Sequence, residues 1–159
     1  MSFHIRSSVS TDVAAMMQLI HELAVFEKAP NEVVANAETL LQSGFQEHPL
    51  FVAWVAEKDG LIVGMALCYI RYSTWKGSRM YLEDILVTEN ARGKGIGTLL
   101  MNQLIEEAKT KELKGIVWQV LDWNEKAIQF YEKYASSFDS EWINCSLTTE
   151  QINSSNASI

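Results

Sequence analysis

The chain has 159 residues, 48% hydrophobic and 21% charged, with a formal net charge of −7. That is the size and balance of one globular domain, and the acidic excess argues against nucleic acid, which needs a basic face; it favours a small cation as partner. No run of 18 apolar residues occurs, so no membrane helix is expected. The opening MSFHIRSSVS lacks an export signal's apolar core, and Cys68 and Cys145 read as free thiols of a reducing cytoplasm.

Phe3 to Arg6 alternates and predicts an opening strand. Ser10, Thr11 and Asp12 offer N-caps for a helix with Val13, Met16, Met17, Ile20, Leu23 and Ala24 on one face, ending near Lys28 ahead of Pro30. Asn31 is the expected cap of a second helix, which Gly44 stops. Phe51 to Ala56 and Leu61 to Tyr72 read as strands joined by a turn at Lys58-Asp59-Gly60, with Gly64 marking a bulge or a close contact. A linker over Ser73 to Arg79 leads to a buried strand, Met80 to Val87. After a glycine-rich turn, a helix is predicted from Gly97 with Leu100, Leu104 and Ala108 inward, broken at Lys114-Gly115. A strand over Ile116 to Leu121 follows, then a helix opened by Asp122 to Asn124 and carrying Ala127, Ile128, Phe130 and Tyr131. Ser140 to Leu147 reads as a last strand, and the polar end from Thr148 onward as a frayed tail. The predicted class is α/β with a mixed, mostly antiparallel sheet and helices on both faces: a single domain over 1–147 and a disordered tail over 148–159.

The stretch around which this order turns is Met80 to Ala108: strand, glycine turn, helix. The first amides of a helix have no internal partner and the helix dipole adds positive potential at that end. Gly93, Gly95 and Gly97 let the backbone approach an anion, and Arg92 and Lys94 add charge. Neither G-x-G-x-x-G nor G-x-x-x-x-G-K-[ST] is present, so the dinucleotide and triphosphate fingerprints are excluded. His4, His21 and His48 are scattered, and no metal site is expected.

Arg92-Gly-Lys-Gly-Ile-Gly97 fits the Q/R-x-x-G-x-G/A signature of the GNAT N-acetyltransferases, and the chain resembles that family from Phe3 to about Leu147. Within it the diamine and polyamine enzymes, thialysine acetyltransferases included, are the most similar. They share Gly44-Phe-x-Glu47-His-Pro49, Tyr81-Leu-Glu-Asp84, Trp123-Asn-Glu125 and Phe130-Tyr131. The resemblance implies acetyl-CoA as cosubstrate, held by the backbone of Ile85, Leu86 and Val87, by Arg92, Gly93, Lys94, Gly95, Ile96, Gly97 and Thr98, and by Asn124, Glu125, Lys126 and Ala127. It implies a homodimer. It matches Tyr131 to the proton donor for the departing thiolate and Glu83 to an acid at the amine site. Phe26, Glu27, Val117, Trp118, Gln119 and Glu141 fall at substrate contacts. Three departures stand out: Ser73 replaces an Asp that would meet a distant ammonium, Phe26 replaces a tyrosine, and Ala135 replaces a glycine.

The chemistry agrees with those residue types. An attacking amine must shed its proton, and Glu83 and Asp84 are the candidate acceptors; strand alternation sends them to opposite faces, which favours Glu83 alone. Main-chain N–H groups of 85–87 suit a developing oxyanion. The leading reading is acetyl transfer to the primary amine of a small cationic acceptor of the diamine or polyamine type. Thialysine, another amino acid or a protein lysine is the alternative acceptor, and a non-catalytic CoA-binding module the alternative function.

Overall fold

The structure, a computed structural model, describes residues 3–154. The chain divides into two compact units, 1–119 and 120–159.

In the first unit, strands β1 (His4–Ser7), β2 (Val52–Lys58), β3 (Leu61–Ser73), β4 (Gly77–Val87) and β5 (Ile116–Val117) form one sheet in that order. β1 to β4 run antiparallel; β5 joins β4 in parallel after a crossover through a helix. The helices are α1 (Val13–Phe26), α2 (Ala37–Gly44) and α3 (Ile96–Thr110). The pleat sorts the core. Ala53 and Val55 of β2, Met65 and Leu67 of β3 and Leu86 of β4 pack with Val13, Met16, Met17 and Leu19 of α1 and Leu40 of α2. The intervening Trp54, Ala56, Ala66 and Cys68 are buried on the other face. α3 covers that face: Cys68 lies within the electrostatic reach of Glu107 and Lys111, and a Cβ on Gly64 would come 3.5 Å from Ile96. The same Cβ would lie 2.9 Å from the Leu86 carbonyl, so Gly64 is the close contact anticipated for it. Burial lifts the Cys68 thiol to about 12, which leaves it a packing residue.

Three expectations are corrected in this unit. The second helix begins at Ala37, because Asn36 takes the extended cap conformation and exchanges hydrogen bonds with Thr39, the Thr39 amide reaching Asn36 Oδ1 at 3.0 Å and the Asn36 amide reaching Thr39 Oγ1 at 2.9 Å; Asn31 sits instead in a short 3₁₀ turn, Pro30–Glu32. The expected linker is the tip of a long β3–β4 hairpin, paired out to Ser73 opposite Gly77. There the Ser73 hydroxyl accepts from the amides of Trp75 and Lys76 and closes the turn. The last strand of the sheet stops at Val117, short of the expected Leu121. Before α1, Asp12 is buried; its carboxylate takes two bonds from Arg6, at 2.7 and 2.9 Å, and one from the Val9 amide, and the Arg6 bonds hold its pKa below the ordinary value.

The second unit contains α4 (Glu125–Glu132) and α5 (Thr149–Ser154). Asn124 caps α4 by accepting from the Ala127 amide at 3.2 Å. The strand expected over Ser140 to Leu147 is not formed: Trp142, Ile143 and Leu147 are exposed, and no strand lies within 120–154 to pair with it. Thr149–Ser154 is helical, and 155–159 of the expected tail lie outside the described residues. Ala135 follows α4 at φ +52, a left-handed conformation that glycine adopts freely and that costs an L-residue about 1–2 kcal/mol. Its side chain is exposed, so Ala135→Gly loses no packing. Allowing for glycine's larger unfolded-state entropy, the substitution is expected to stabilise by about 0.5–1 kcal/mol, raising Tm by about 1–4 °C in a thermal melt.

Candidate active site

The acidic centre of the first unit is built by an irregularity in β4. Cys68 pairs with Leu82 and Leu67 with Asp84, so Glu83 is the extra, unpaired residue of a β-bulge. Leu67 belongs to the α1 face and Cys68 to the α3 face. Their partners inherit those faces: Asp84 points to the α1 side and Leu82 away from it. Glu83, one residue beyond Leu82, also falls on the α1 side. The two adjacent carboxylates therefore share a face, contrary to the alternation expected from the sequence.

The charges register this crowding. Asp84 is half-buried, and its pKa is lifted from an ordinary 3.8 to about 6, first by loss of water and then by the negative charges of Glu83 and Glu27. Glu27, at the end of α1, is itself raised by desolvation. Tyr69 and Tyr81, opposite one another on β3 and β4, stack with centroids 5.2 Å apart. Both phenols are raised, by burial first and then by Glu83, so they stay protonated. The Tyr81 hydroxyl donates to Gln119 Oε1 at 3.0 Å. Glu27, Glu83, Asp84, Tyr69, Tyr81 and Gln119 thus belong to one neighbourhood on the α1 face. It is negative and aromatic, the character that receives an ammonium group.

Beside it lies the glycine turn. Gly93 and Gly95 have φ +74 and +82, and nothing lies within 4 Å of where their Cβ atoms would be. Backbone twist, not crowding, demands glycine here. Gly95 is the N-cap of α3, which starts one residue earlier than predicted, and the first helical bond runs from the Leu99 amide to the Gly95 carbonyl. The amides of Ile96, Gly97 and Thr98 lie ahead of that bond, without an intrahelical acceptor. The turn is braced from within: Arg92 Nε donates to the Val87 carbonyl at 2.8 Å and its guanidinium lies 5.6 Å from the Phe26 ring, while Lys94 Nζ donates to the Asn90 carbonyl at 2.9 Å.

The early end of β5 has a consequence for β4. β5 pairs only with Met80 and Tyr81, so among the described residues the outer edge of β4 from Leu82 to Val87 has no strand neighbour. The bulge at Glu83 lies just past this last pair, and a bulge bends and twists its strand. Ile85, Leu86 and Val87 pair on their inner side with Ala66, Met65 and Gly64. Val117 pairs with Tyr81, and Trp118 is half-buried next to it.

In the second unit Tyr131 is buried, 6% exposed, on α4 with the Phe130 ring 5.4 Å away, and Ser136 Oγ donates to its carbonyl at 2.8 Å. Glu125 and Lys126 are exposed in the first turn of α4 and Ala127 is half-buried. Glu141 is exposed, its amide donating to Asp139. The sequence reading passed over Tyr69 and the pairing of Asp84 with Glu83, and only the adjacency of two acids in an apolar strand pointed toward the second of these.

A five-stranded mixed sheet with helices on both faces, interrupted by a bulge and followed by a glycine-capped helix, is an acetyltransferase fold. The chain belongs to the acetyltransferase (GNAT) family, which it matches over residues 15–135. It is 40% identical over 139 residues to the thialysine N-epsilon-acetyltransferase of Mus musculus, covering 82% of each chain. It is 34% identical over 136 residues to the spermidine/spermine N(1)-acetyltransferase-like protein 1 of Homo sapiens, covering 81% of this chain and 20% of that one. Among solved structures, an integron cassette protein from the mobile metagenome of V. cholerae superposes with a TM-score of 0.77 at 25% identity, over 96% of both chains. This chain is therefore an N-acetyltransferase of a family whose cosubstrate is acetyl-CoA.

Proposed function

We propose that the protein transfers the acetyl group of acetyl-CoA to the primary amine of a small cationic acceptor, and that it does so in the cytoplasm as a homodimer. The observation that carries the reading is the bulge at Glu83, which gathers two carboxylates on the face where Glu27 and the stacked tyrosines lie. Among the described residues no helix is long and apolar enough to cross a membrane, and no group of His, Cys, Asp or Glu is arranged to hold a metal.

The residues fit the cosubstrate. The glycine turn offers amides without an intrahelical acceptor to a diphosphate, and the outer edge of β4 over Ile85 to Val87, its Val87 carbonyl shared with Arg92, offers N–H and C=O groups to an amide-bearing arm. Acetyl-CoA, when bound, supplies a thioester-activated acetyl group. The chain's part is to deprotonate the amine, to stabilise charge on the carbonyl oxygen and to protonate the sulfur. At pH 7 only about one lysine-like amine in a few thousand is neutral. Glu83 assists its deprotonation, with Asp84 beside it on the same face, a carboxylate whose pKa near 6 lies closer to the working pH. Backbone N–H groups of β4 polarise the carbonyl. Tyr131 gives its proton to the thiolate. By the family resemblance, Asn124, Glu125, Lys126 and Ala127 are assigned to the cosubstrate, and Phe26, Glu27, Val117, Trp118, Gln119 and Glu141 to the acceptor.

One observation favours a compact acceptor over a long polyamine. Ser73, at the place of the polyamine enzymes' Asp, is committed to closing the hairpin turn, so no carboxylate stands there for a distant ammonium. Thialysine, the acceptor in the name of the 40% identical mouse relative, is such a compact acceptor. In a thiol-release assay over diamines, polyamines and basic amino acids, short acceptors should be used and spermine poorly. Background thiol release with every amine, together with acetyl-CoA binding in calorimetry, would leave a non-catalytic CoA-binding module instead.

A further inference from the structure

Beyond the acidic end of the site, the same face of the β3–β4 hairpin carries two arginines that the reaction does not use. Arg71 and Arg79 are directly opposite in the ladder, a placement in which like charges repel. Among the described residues neither forms an ion pair with a carboxylate. Arg79 is half-buried where β4 meets the start of β5; its Nε is sealed from solvent without a hydrogen-bond partner, and a Cβ on Gly115 would lie 3.4 Å from it. A partly desolvated guanidinium facing a second guanidinium lacks a counter-charge. The stacked Tyr69–Tyr81 pair lies between this basic end and Glu83: Arg71 sits 5.8 Å from the Tyr81 ring, and Glu83 raises both phenols.

We infer that Arg71 and Arg79 bind the α-carboxylate of the acceptor, making the site selective for a basic amino acid over the diamine of the same length. The inference rests on the acetyltransferase reading above and adds the determinant of acceptor class. The face is bipolar: acids for the amine at Glu83 and Asp84, an aromatic floor beneath the chain, and a pair of guanidinium forks for the carboxylate. Arg71 and Leu67 are four positions apart on β3, so their partners Arg79 and Asp84 lie about 13 Å apart between backbones at about 3.3 Å per residue, and Glu83, in the bulge between, is nearer. The reach of the side chains reduces this to the length of an extended basic amino acid. A carboxylate between two arginines accepts paired, charge-assisted hydrogen bonds and cancels the repulsion across the ladder.

The test compares thialysine with bis(2-aminoethyl) sulfide, the same chain without its carboxylate, on wild type, Arg79→Gln and Arg71→Gln. For wild type, kcat/KM should favour thialysine by about tenfold or more, the scale of one charge-assisted hydrogen bond. Either substitution should raise KM for thialysine about tenfold with kcat little changed, and leave the diamine's constants where they were. Arg71 is exposed, so its variant tests the idea even if loss of Arg79 disturbs folding, which a melt would reveal. Equal losses for both acceptors, or a wild type that prefers the diamine, would overturn the inference. Calorimetric binding of the two compounds in the presence of CoA separates this failure from that of the acetyltransferase reading. Thialysine binding that is lost in the arginine variants supports the carboxylate clamp even without turnover, and equal affinity for both compounds refutes it.

Discussion

Glu83→Gln is expected to lower kcat/KM at pH 7 by about a hundredfold or more, with part of the activity regained as pH rises and the amine sheds its proton unaided. The bulge is the reason for so large an effect. Glu83 stands out of the ladder and shares a face with Asp84, so the pair presents a concentrated negative charge to an incoming ammonium. Asp84→Asn tests the inner member separately. Asp84 titrates near 6 because it is desolvated and flanked by Glu83 and Glu27, so wild-type kcat/KM should fall on the acid side around that pH. Removing the group should abolish or displace that limb. Stability should move in the opposite direction from activity. Asp84's folded pKa lies above its unfolded value, so its contribution is fully present below about 3.8 and is lost as pH rises through about 6. Asp84→Asn should therefore raise Tm at pH 8, where the ionised form opposes folding by up to about 3 kcal/mol, and the gain should fade toward pH 4. A pH–rate profile and a Tm series superimposable on wild type would remove the carboxylate pair from the mechanism.

The bulge also marks where the sequence stopped being informative. Met80 to Val87 was legible as a strand because its apolar and β-branched residues are dense. The extra residue at Glu83 has no local signature: it comes from the register of β3 against β4, a relation between Cys68 and Leu82 that no single segment encodes. From one parity error followed the wrong assignment of faces to Glu83 and Asp84. The strand expected over Ile116 to Leu121 overran for a related reason. Its composition suits a strand, but beyond Val117 the ladder on β4 is gone. The Ser140 to Leu147 stretch has strand composition and no strand partner among the described residues 120–154. By contrast, the glycine turn, the hairpin at Asp59-Gly60 and the Asn124 cap were legible because each depends on a backbone conformation or a capping bond set within a few residues.

The second large effect is expected at Tyr131. Phenylalanine there keeps the ring that α4 buries against Phe130 and removes only the hydroxyl. Turnover should fall about a hundredfold, because expulsion of the thiolate would then proceed without a positioned proton. General acid catalysis contributes roughly 10²–10⁴-fold, and a thiolate, whose conjugate acid has a pKa of about 8.5, needs less help than an alkoxide, which places the loss at the lower end. Acetyl-CoA affinity by calorimetry should stay within about twofold, since the hydroxyl acts on the sulfur only as the bond breaks. The two substitutions should also differ in pH response: Glu83→Gln recovers as the amine deprotonates in solution, whereas Tyr131→Phe does not, because raising the pH only makes protonation of the leaving sulfur harder. If Tyr131→Phe turned over like wild type, or its deficit disappeared at high pH, the hydroxyl would be a packing group and the leaving thiolate would take its proton from water.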